Sequence, residues 1–367
     1  MKYDVVIVGC GLAGTVFAER FANILDKKVL IIEKRNHIGG NLYDYYNDDG
    51  ILIHKFGPHI FRTDKDSVWK YLGLFTEWNY YQHKVVSNVK GLEVPFPINL
   101  DTNNILFNEN LTQKEFAKKL ASFKFTETPK NAEEAIINQV GEYLYDVFFK
   151  HYTIKQWGKH PTELDAATVA RVPVKLDREN RYFSHKYQGI PKNGYTRMMK
   201  QMLSSKNISV MTNTNYKDVI ESIKYSQLIY TGPLDYFFDY KFGELEYRSL
   251  KFEERTYEKE SFQSHSVVNY PNNYDYTRIT EYKKLTGQEH HKTTVHYEYP
   301  QAFDKNTNEP YYPILDKINK PLKEKYLEEA SKLNNVLFIG RLAEYKYYAM
   351  DEVIEDCLEI FNKKFNL

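Results

Sequence analysis

The segment Gly9-Cys10-Gly11-Leu12-Ala13-Gly14 lies between an apolar run, DVVIVG at residues 4 to 9, and a helical pattern that continues to about residue 24. A second apolar run, KKVLIIEKR, comes next and ends on Glu33. Strand, glycine turn, helix and strand in this order make a βαβ unit, because buried parallel strands read as continuous apolar runs. Gly9, Gly11 and Gly14 permit a tight turn, close backbone approach to a pyrophosphate and close helix packing, with Ala13 small between them. The helix amino terminus favours the anion. Glu33 falls about twenty residues on, where a carboxylate accepts ribose hydroxyls and argues against a 2′-phosphate.

A second pair of glycines narrows the dinucleotide. Gly39-Gly40-Asn41 resembles the second glycine motif of FAD-binding monooxygenase-like and amine-oxidase-like proteins, which simple NAD-binding units usually lack. A late strand, Gly340-Arg341 loop and helix starting at Met350-Asp351 resembles the segment that closes on the flavin there. Its helix start would offer N–H groups and a positive dipole end to the flavin pyrimidine. FAD is the expected cofactor.

At 367 residues the chain exceeds what one core usually organises. Residues 64 to 80 read as helical, and residues 100 to 170 as amphipathic and helical. Residues 171 to 188 and 240 to 299 alternate like antiparallel strands, and residues 193 to 232 run helix, strand, helix, strand. The expected fold is α/β: an FAD-binding Rossmann-like domain with a helical-bundle insertion and an antiparallel β-sheet domain. Its discontinuous parts are 1–80, 193–238 and 325–367 for FAD, 100–170 for the helices with a mobile substrate loop, and 171–192 with 240–324 for the sheet.

Composition excludes several classes. Net charge +1 gives no field to gather nucleic acid, and Cys10 and Cys357 stand far apart in no metal-like or disulfide spacing. No metal is expected. No apolar run reaches the roughly 18 residues of a membrane span, and the start lacks the regions of a secretory signal, so the cytoplasm is the expected compartment. Aromatic content is 16%, with Tyr 32 and Phe 22, a supply of flat faces with polar tips suited to sugars and bases.

The remaining blocks resemble the bacterial UDP-galactopyranose mutases, in order and over nearly the whole chain: GPHIFRT (57 to 63), YTIKQWG (152 to 158), ARVPV (170 to 174), YQGIPKNGYT (187 to 196), YTGPLDYFFDY (230 to 240), LEYRSLKF (245 to 252), YTRITEYK (276 to 283), EPYYP (309 to 313) and GRLAEYKYY (340 to 348). The resemblance implies an isomerase that interconverts UDP-galactopyranose and UDP-galactofuranose for surface polysaccharide. It implies reduced FAD, whose N5 attacks the anomeric carbon and passes through a flavin–sugar iminium. A homodimer is implied as well.

By the same resemblance, Arg171 and Arg278 are the essential arginines that steady the leaving diphosphate, and Arg248 lines the same cleft. Arginine suits this because its fork pairs two oxygens and stays charged. Tyr152, Thr153, Trp157, Tyr182 and Phe183 match the nucleotide wall, with Phe148 and Phe149 beside it and Trp157 on a loop that closes over substrate. Tyr311 and Tyr347 match phosphate-binding tyrosines, and Asn269 a sugar contact. His59 and Ile60 match positions beside the flavin. Arg62, His83 and Ala349 depart from the common histidine, asparagine and aspartate. An extra cation at Arg62 points to UDP-N-acetylgalactosamine as an alternative substrate. An amine-oxidase-like flavin oxidoreductase is the alternative activity, because fold alone does not fix function.

Overall fold

The computed structural model describes residues 2–124, 127–166, 174–316 and 318–366. Five parallel strands form one sheet in the order Ile208–Met211, Val29–Ile32, Val5–Val8, Gln227–Tyr230, Val336–Phe338. The two strands read first from the sequence are its centre and are buried along their whole length. Helices Leu12–Ile24, Tyr195–Met202 and Met350–Phe365 cover one face. Phe21 meets Phe361 and Phe365 edge-on at 5.3 and 5.5 Å, so the two ends of the chain close on one core. The expected return of residues 193 to 232 and of the carboxyl-terminal segment to the dinucleotide domain is what the sheet order shows.

The second sheet has seven strands, in the order Tyr312–Pro313, Tyr247–Tyr257, Thr293–Ala302, Arg278–Glu281, Val267–Asn269, Val85–Val89, Leu92–Phe96. The sheet is antiparallel as expected but for one pair, Val267–Asn269 running parallel to Val85–Val89. Two expected boundaries differ. The hairpin of Val85–Val89 and Leu92–Phe96 belongs to it although it precedes the expected boundaries. Residues 174 to 186 form no strand beyond one bridge from Arg181 to Lys84, and Tyr187–Pro191 joins Phe61–Thr63 and Trp78–Asn79 in a separate small sheet. The predicted helix over residues 64 to 80 is also shorter, Asp66–Leu72, and ends at Gly73.

The helical segment packs directly on that hairpin. Helices Leu100–Phe107 and Gln113–Ala121 begin with reciprocal capping by Asn99 with Thr102 and by Thr112 with Glu115. Phe116, Leu120, Ile136 and Leu144 share one apolar cluster with Val85, Val94 and Phe96 of the sheet. Insertion and sheet are thus one packing unit. The helical run then widens to a π turn over Tyr145–Lys150 before the helix His151–Trp157.

Two histidines are enclosed near the meeting of the sheets. Burial pushes the His54 ring down to about 3, with His296 adding to the effect, and burial followed by Arg278 and Arg62 does the same to His83. Both are neutral in the fold but take a proton in the unfolded chain below about pH 6.5. The unfolded state then binds more protons, so stability is complete above about pH 6.5 and falls toward about pH 3, by up to about 1.4 kcal/mol per pH unit for each ring. Thermal melts should show Tm dropping between pH 6.5 and 5. His54→Asn, which keeps an acceptor for the His59 N–H, should flatten that slope; a Tm indifferent to pH, or an equal slope in the variant, refutes the account.

Candidate active site

The two glycine motifs meet. A Cβ on Gly14 would stand 2.1 Å from the Gly9 carbonyl oxygen, and one on Gly40 would stand 2.8 Å from the Gly11 Cα, so neither position admits a side chain. Gly340 approaches Ala13 closely enough that its own Cβ would touch that of Ala13 at 3.4 Å. Glu33 accepts the backbone N–H of Cys10 at 2.8 Å and of Arg35 at 2.9 Å, one on each carboxylate oxygen, which fixes the carboxylate at the end of its strand. No side chain caps the helix Leu12–Ile24. Its first N–H groups therefore need an outside acceptor, which a pyrophosphate supplies. Arg35 donates twice to Asn41 Oδ1 at 3.0 Å, pairs with Glu309 at 3.0 Å and lies over the Phe56 ring.

Past the cradle stand His59 and the buried Ile60. The His59 Nδ1–H donates to the Gly57 carbonyl at 2.8 Å, and its backbone N–H donates to His54 Nδ1 at 3.1 Å. Burial, then the neighbouring His54 and Arg341, push this imidazole down to about 3. It is neutral, with Nε2 left as an acceptor, which suits contact with a cofactor better than proton transfer near neutrality. Arg341 donates to the carbonyls of Tyr348 at 2.7 Å and Tyr311 at 3.4 Å, and its guanidinium lies 5.3 and 5.2 Å from the ring centres of Tyr312 and Tyr347. Met350 and Asp351 form the first turn of the closing helix.

Arg278 sits across from these rings. Strand register places it beside Asn269 on one side and Glu298 on the other. Its Nε donates to Glu298 Oε1 at 3.0 Å, and the carboxylate, 2% exposed, also accepts from Thr277. Tyr152, Tyr312 and Tyr182 lie within the field of this guanidinium. Burial raises the Tyr152 phenol to about 12, with Arg278 acting in the opposite direction, so it remains a hydrogen-bond donor. Tyr182 meets Phe183 edge-on at 4.8 Å, and Arg62 lies over the Phe183 ring at 4.1 Å with its Nε buried and unpaired.

Among the expected site residues, Asn269 adjoins Arg278 in the sheet, Tyr152 and Tyr182 lie near that guanidinium, Phe183 packs on Tyr182, Tyr347 lies beside Arg341 and Tyr312, and Tyr311 packs near Phe252. Thr153 is buried on the helix His151–Trp157, and Trp157 ends that helix. Others do not converge as expected. Phe148 and Phe149 are buried in the apolar cluster with Phe96, as core rather than substrate contacts. Arg248 spends Nε and one terminal nitrogen on the Gln156 and Lys155 carbonyls, capping the helix rather than reaching freely into the cleft. Arg171 lies outside the described residues. Sequence reading missed Glu298 and Tyr312; EPYYP pointed at the neighbour of Tyr312, and only strand register could reveal Glu298. No group of metal-ligating side chains occurs among the described residues, nor any helix long and apolar enough to cross a membrane.

Comparison with known proteins agrees with this arrangement. A family model described as UDP-galactopyranose mutase matches residues 147–347, and one described as an NAD(P)-binding Rossmann-like domain matches residues 7–75. A probable UDP-galactopyranose mutase of Klebsiella pneumoniae is 40% identical over 97% of this chain and 93% of its own. A dTDP-fucopyranose mutase of Escherichia coli is 38% identical over 97% and 96%. The crystal structure of a reduced UDP-galactopyranose mutase superimposes with a TM-score of 0.78 at 17% identity, covering 100% of this chain and 94% of that one, a likeness of fold. Kinship of this depth along nearly the full length of both chains means that the chain belongs to the UDP-galactopyranose mutase family.

Proposed function

We propose that the chain interconverts UDP-galactopyranose and UDP-galactofuranose with FAD held in the glycine cradle. The observation that carries this reading is the placement of Arg278: a cation oriented by Glu298, facing a wall of tyrosines, at the far end of a dinucleotide cradle. An oxidase acting on an amine has no use for such a cation, whereas a nucleotide diphosphate requires one.

The residues present fit FAD. The close approach of Gly11 and Gly40 leaves no side chain between that backbone and a pyrophosphate, Glu33 remains to accept ribose hydroxyls, and Arg341 with the start of the closing helix would serve the flavin end. Bound and reduced, FAD would supply the nucleophile, its N5, at the anomeric carbon. The protein supplies position and charge. Arg278 pairs with the diphosphate as negative charge grows on it. Tyr311 and Tyr347 donate to the phosphates, and Tyr152, Tyr182 and Phe183 line the nucleotide. Asn269, next to Arg278 in the sheet, is placed for the sugar. Neutral His59, its Nδ1–H spent on the Gly57 carbonyl, would offer Nε2 as an acceptor to the flavin held there.

Arg62 motivated the 2-acetamido alternative, yet its guanidinium rests on the Phe183 face and braces that wall. Galactose is therefore the sugar assigned. Under anaerobic conditions, purified protein reduced with dithionite should convert UDP-galactofuranose to UDP-galactopyranose, monitored by chromatography, and the oxidised protein should not. Absence of conversion with reduced flavin would sink the mutase reading. Equal turnover of UDP-N-acetylgalactosamine in the same assay would reassign the sugar. Arg278→Ala should lower kcat by roughly 10²- to 10³-fold while the flavin spectrum stays intact; loss of FAD from that variant contradicts the role given to Arg278.

A further inference from the structure

Lys155 lies on the helix His151–Trp157, one turn after Tyr152 and on the same face. Its Nζ donates to four backbone carbonyls of one loop: Tyr270 at 2.6 Å, Tyr274 at 3.0 Å, Tyr276 at 3.0 Å and Asn272 at 3.3 Å. The loop joins Val267–Asn269 to Arg278–Glu281, so it carries Asn269 at one end and Arg278 at the other. Asn272 reaches back from the loop and donates to the Val147 carbonyl at 2.9 Å, within the π turn that precedes the helix. Helix and loop are thereby tied in both directions.

We propose that Lys155 is a positioning residue of the nucleotide-sugar site: its ammonium, seated in a ring of four carbonyls, sets the distance between the wall bearing Tyr152 and Trp157 and the wall bearing Asn269 and Arg278. This rests on reading the cleft as a nucleotide-sugar site. A ring of carbonyls replaces the water shell of a compact cation. An ammonium can share its three N–H groups among these four oxygens from one point, one N–H being bifurcated, which a neutral side chain with fewer donors cannot do. Burial lowers the Lys155 ammonium to about 8, with Asp275 acting in the opposite direction, so it stays mainly charged at neutrality, and its hydrogen-bond partners among the described residues are the four carbonyls rather than a carboxylate. The loop has no other tie of this strength to the helix among the described residues.

The test uses the FAD-loaded protein and UDP as probe, with binding measured by calorimetry and turnover by chromatography. Wild type should bind UDP. Lys155→Met should weaken UDP binding by about ten- to a hundredfold, raising KM more than it lowers kcat, with flavin content unchanged. Lys155→Ala should lose affinity similarly and regain it with n-propylammonium, which replaces the removed atoms, but not with tetramethylammonium, which has no N–H. A merely structural lysine would shift the melting temperature without this selective rescue. Wild-type affinity in Lys155→Met, or a loss that propylammonium does not restore, overturns the proposal; should Lys155→Met fail to fold, Lys155→Ala purified with and without propylammonium decides in the same way. Failure of wild type itself to bind UDP overturns the nucleotide-sugar reading and this proposal with it, an outcome distinct from failure of the variants alone.

Discussion

The pair of Arg278 and Glu298 is the contact on which the cleft depends. Burying a charge costs several kcal/mol unless geometry and hydrogen bonds offset it, and here the Glu298 carboxylate is buried while the Arg278 side chain keeps 26% of its surface open. Here the offset comes from the sheet. Antiparallel register aligns the two residues, Thr277 adds a donor to the same carboxylate, and the half-buried Tyr152 and Tyr182 phenols lie near the cation. Removing Glu298 would leave the guanidinium free to swing; removing Arg278 would leave a buried carboxylate unpaired. The site is therefore rigid where charge has to be met, and rigidity at such a point is what lets a fixed cation favour developing charge without reorganising.

A second constraint is neutrality around the expected flavin. His59 and His54 are both held without charge by burial, and the backbone N–H of His59 ends on the His54 ring. Tyr282 donates to the His54 carbonyl and lies within hydrogen-bonding distance of His296, whose other ring nitrogen faces Glu254. The loop from Gly57 to Ile60 thus rests on a stack of polar contacts that reaches the second sheet. Among the described residues, Arg341 and the Glu298-paired Arg278 both act on His59 and on Tyr312, so two cations bear on this stretch of the cleft while its imidazoles stay neutral.

Local chemistry was legible in the sequence and non-local register was not. The βαβ unit is dictated by neighbours within about thirty residues, and its glycines are required by contacts that only hydrogen can fill, so reading and structure agree. The hairpin of Val85–Val89 and Leu92–Phe96 alternates visibly, but its partner Val267–Asn269 is far along the chain, and nothing local assigns it to that sheet. Glu298 stands in an alternating strand where a carboxylate reads as solvent-facing; only the arrival of Arg278 alongside explains its burial. Phe148 and Phe149 were placed beside the nucleotide wall by resemblance, and the packing that buries them against Phe96 comes from a strand distant in the chain, which nothing local reveals. Arg278 was found through resemblance rather than periodicity, and Arg248 was misjudged because its partners are backbone carbonyls, which leave no mark in a sequence.

The helix His151–Trp157 illustrates how far its orientation is borrowed. Seven residues cannot hold a helix in water by propensity, because nucleation is costly and the terminal carbonyls lack donors. Arg248 reaches two of those carbonyls from the sheet, and Gly158, left-handed at φ 67°, leaves the room for it: a Cβ there would lie 2.8 Å from the guanidinium. Lys155 enters the carbonyl ring of the 270–276 loop, and Lys159 pairs with Asp316 and Glu246 just beyond the helix end. Three cations from or onto one short element leave little freedom for rigid rotation, since each would have to exchange a partly desolvated partner for water. Tyr152 and Trp157 both belong to this helix, Trp157 as its last residue, so in this structure they share its anchoring contacts. Motion that carried Trp157 would first have to release Arg248 and Lys155, and Lys155 is also the contact that joins this helix to the loop ending at Arg278.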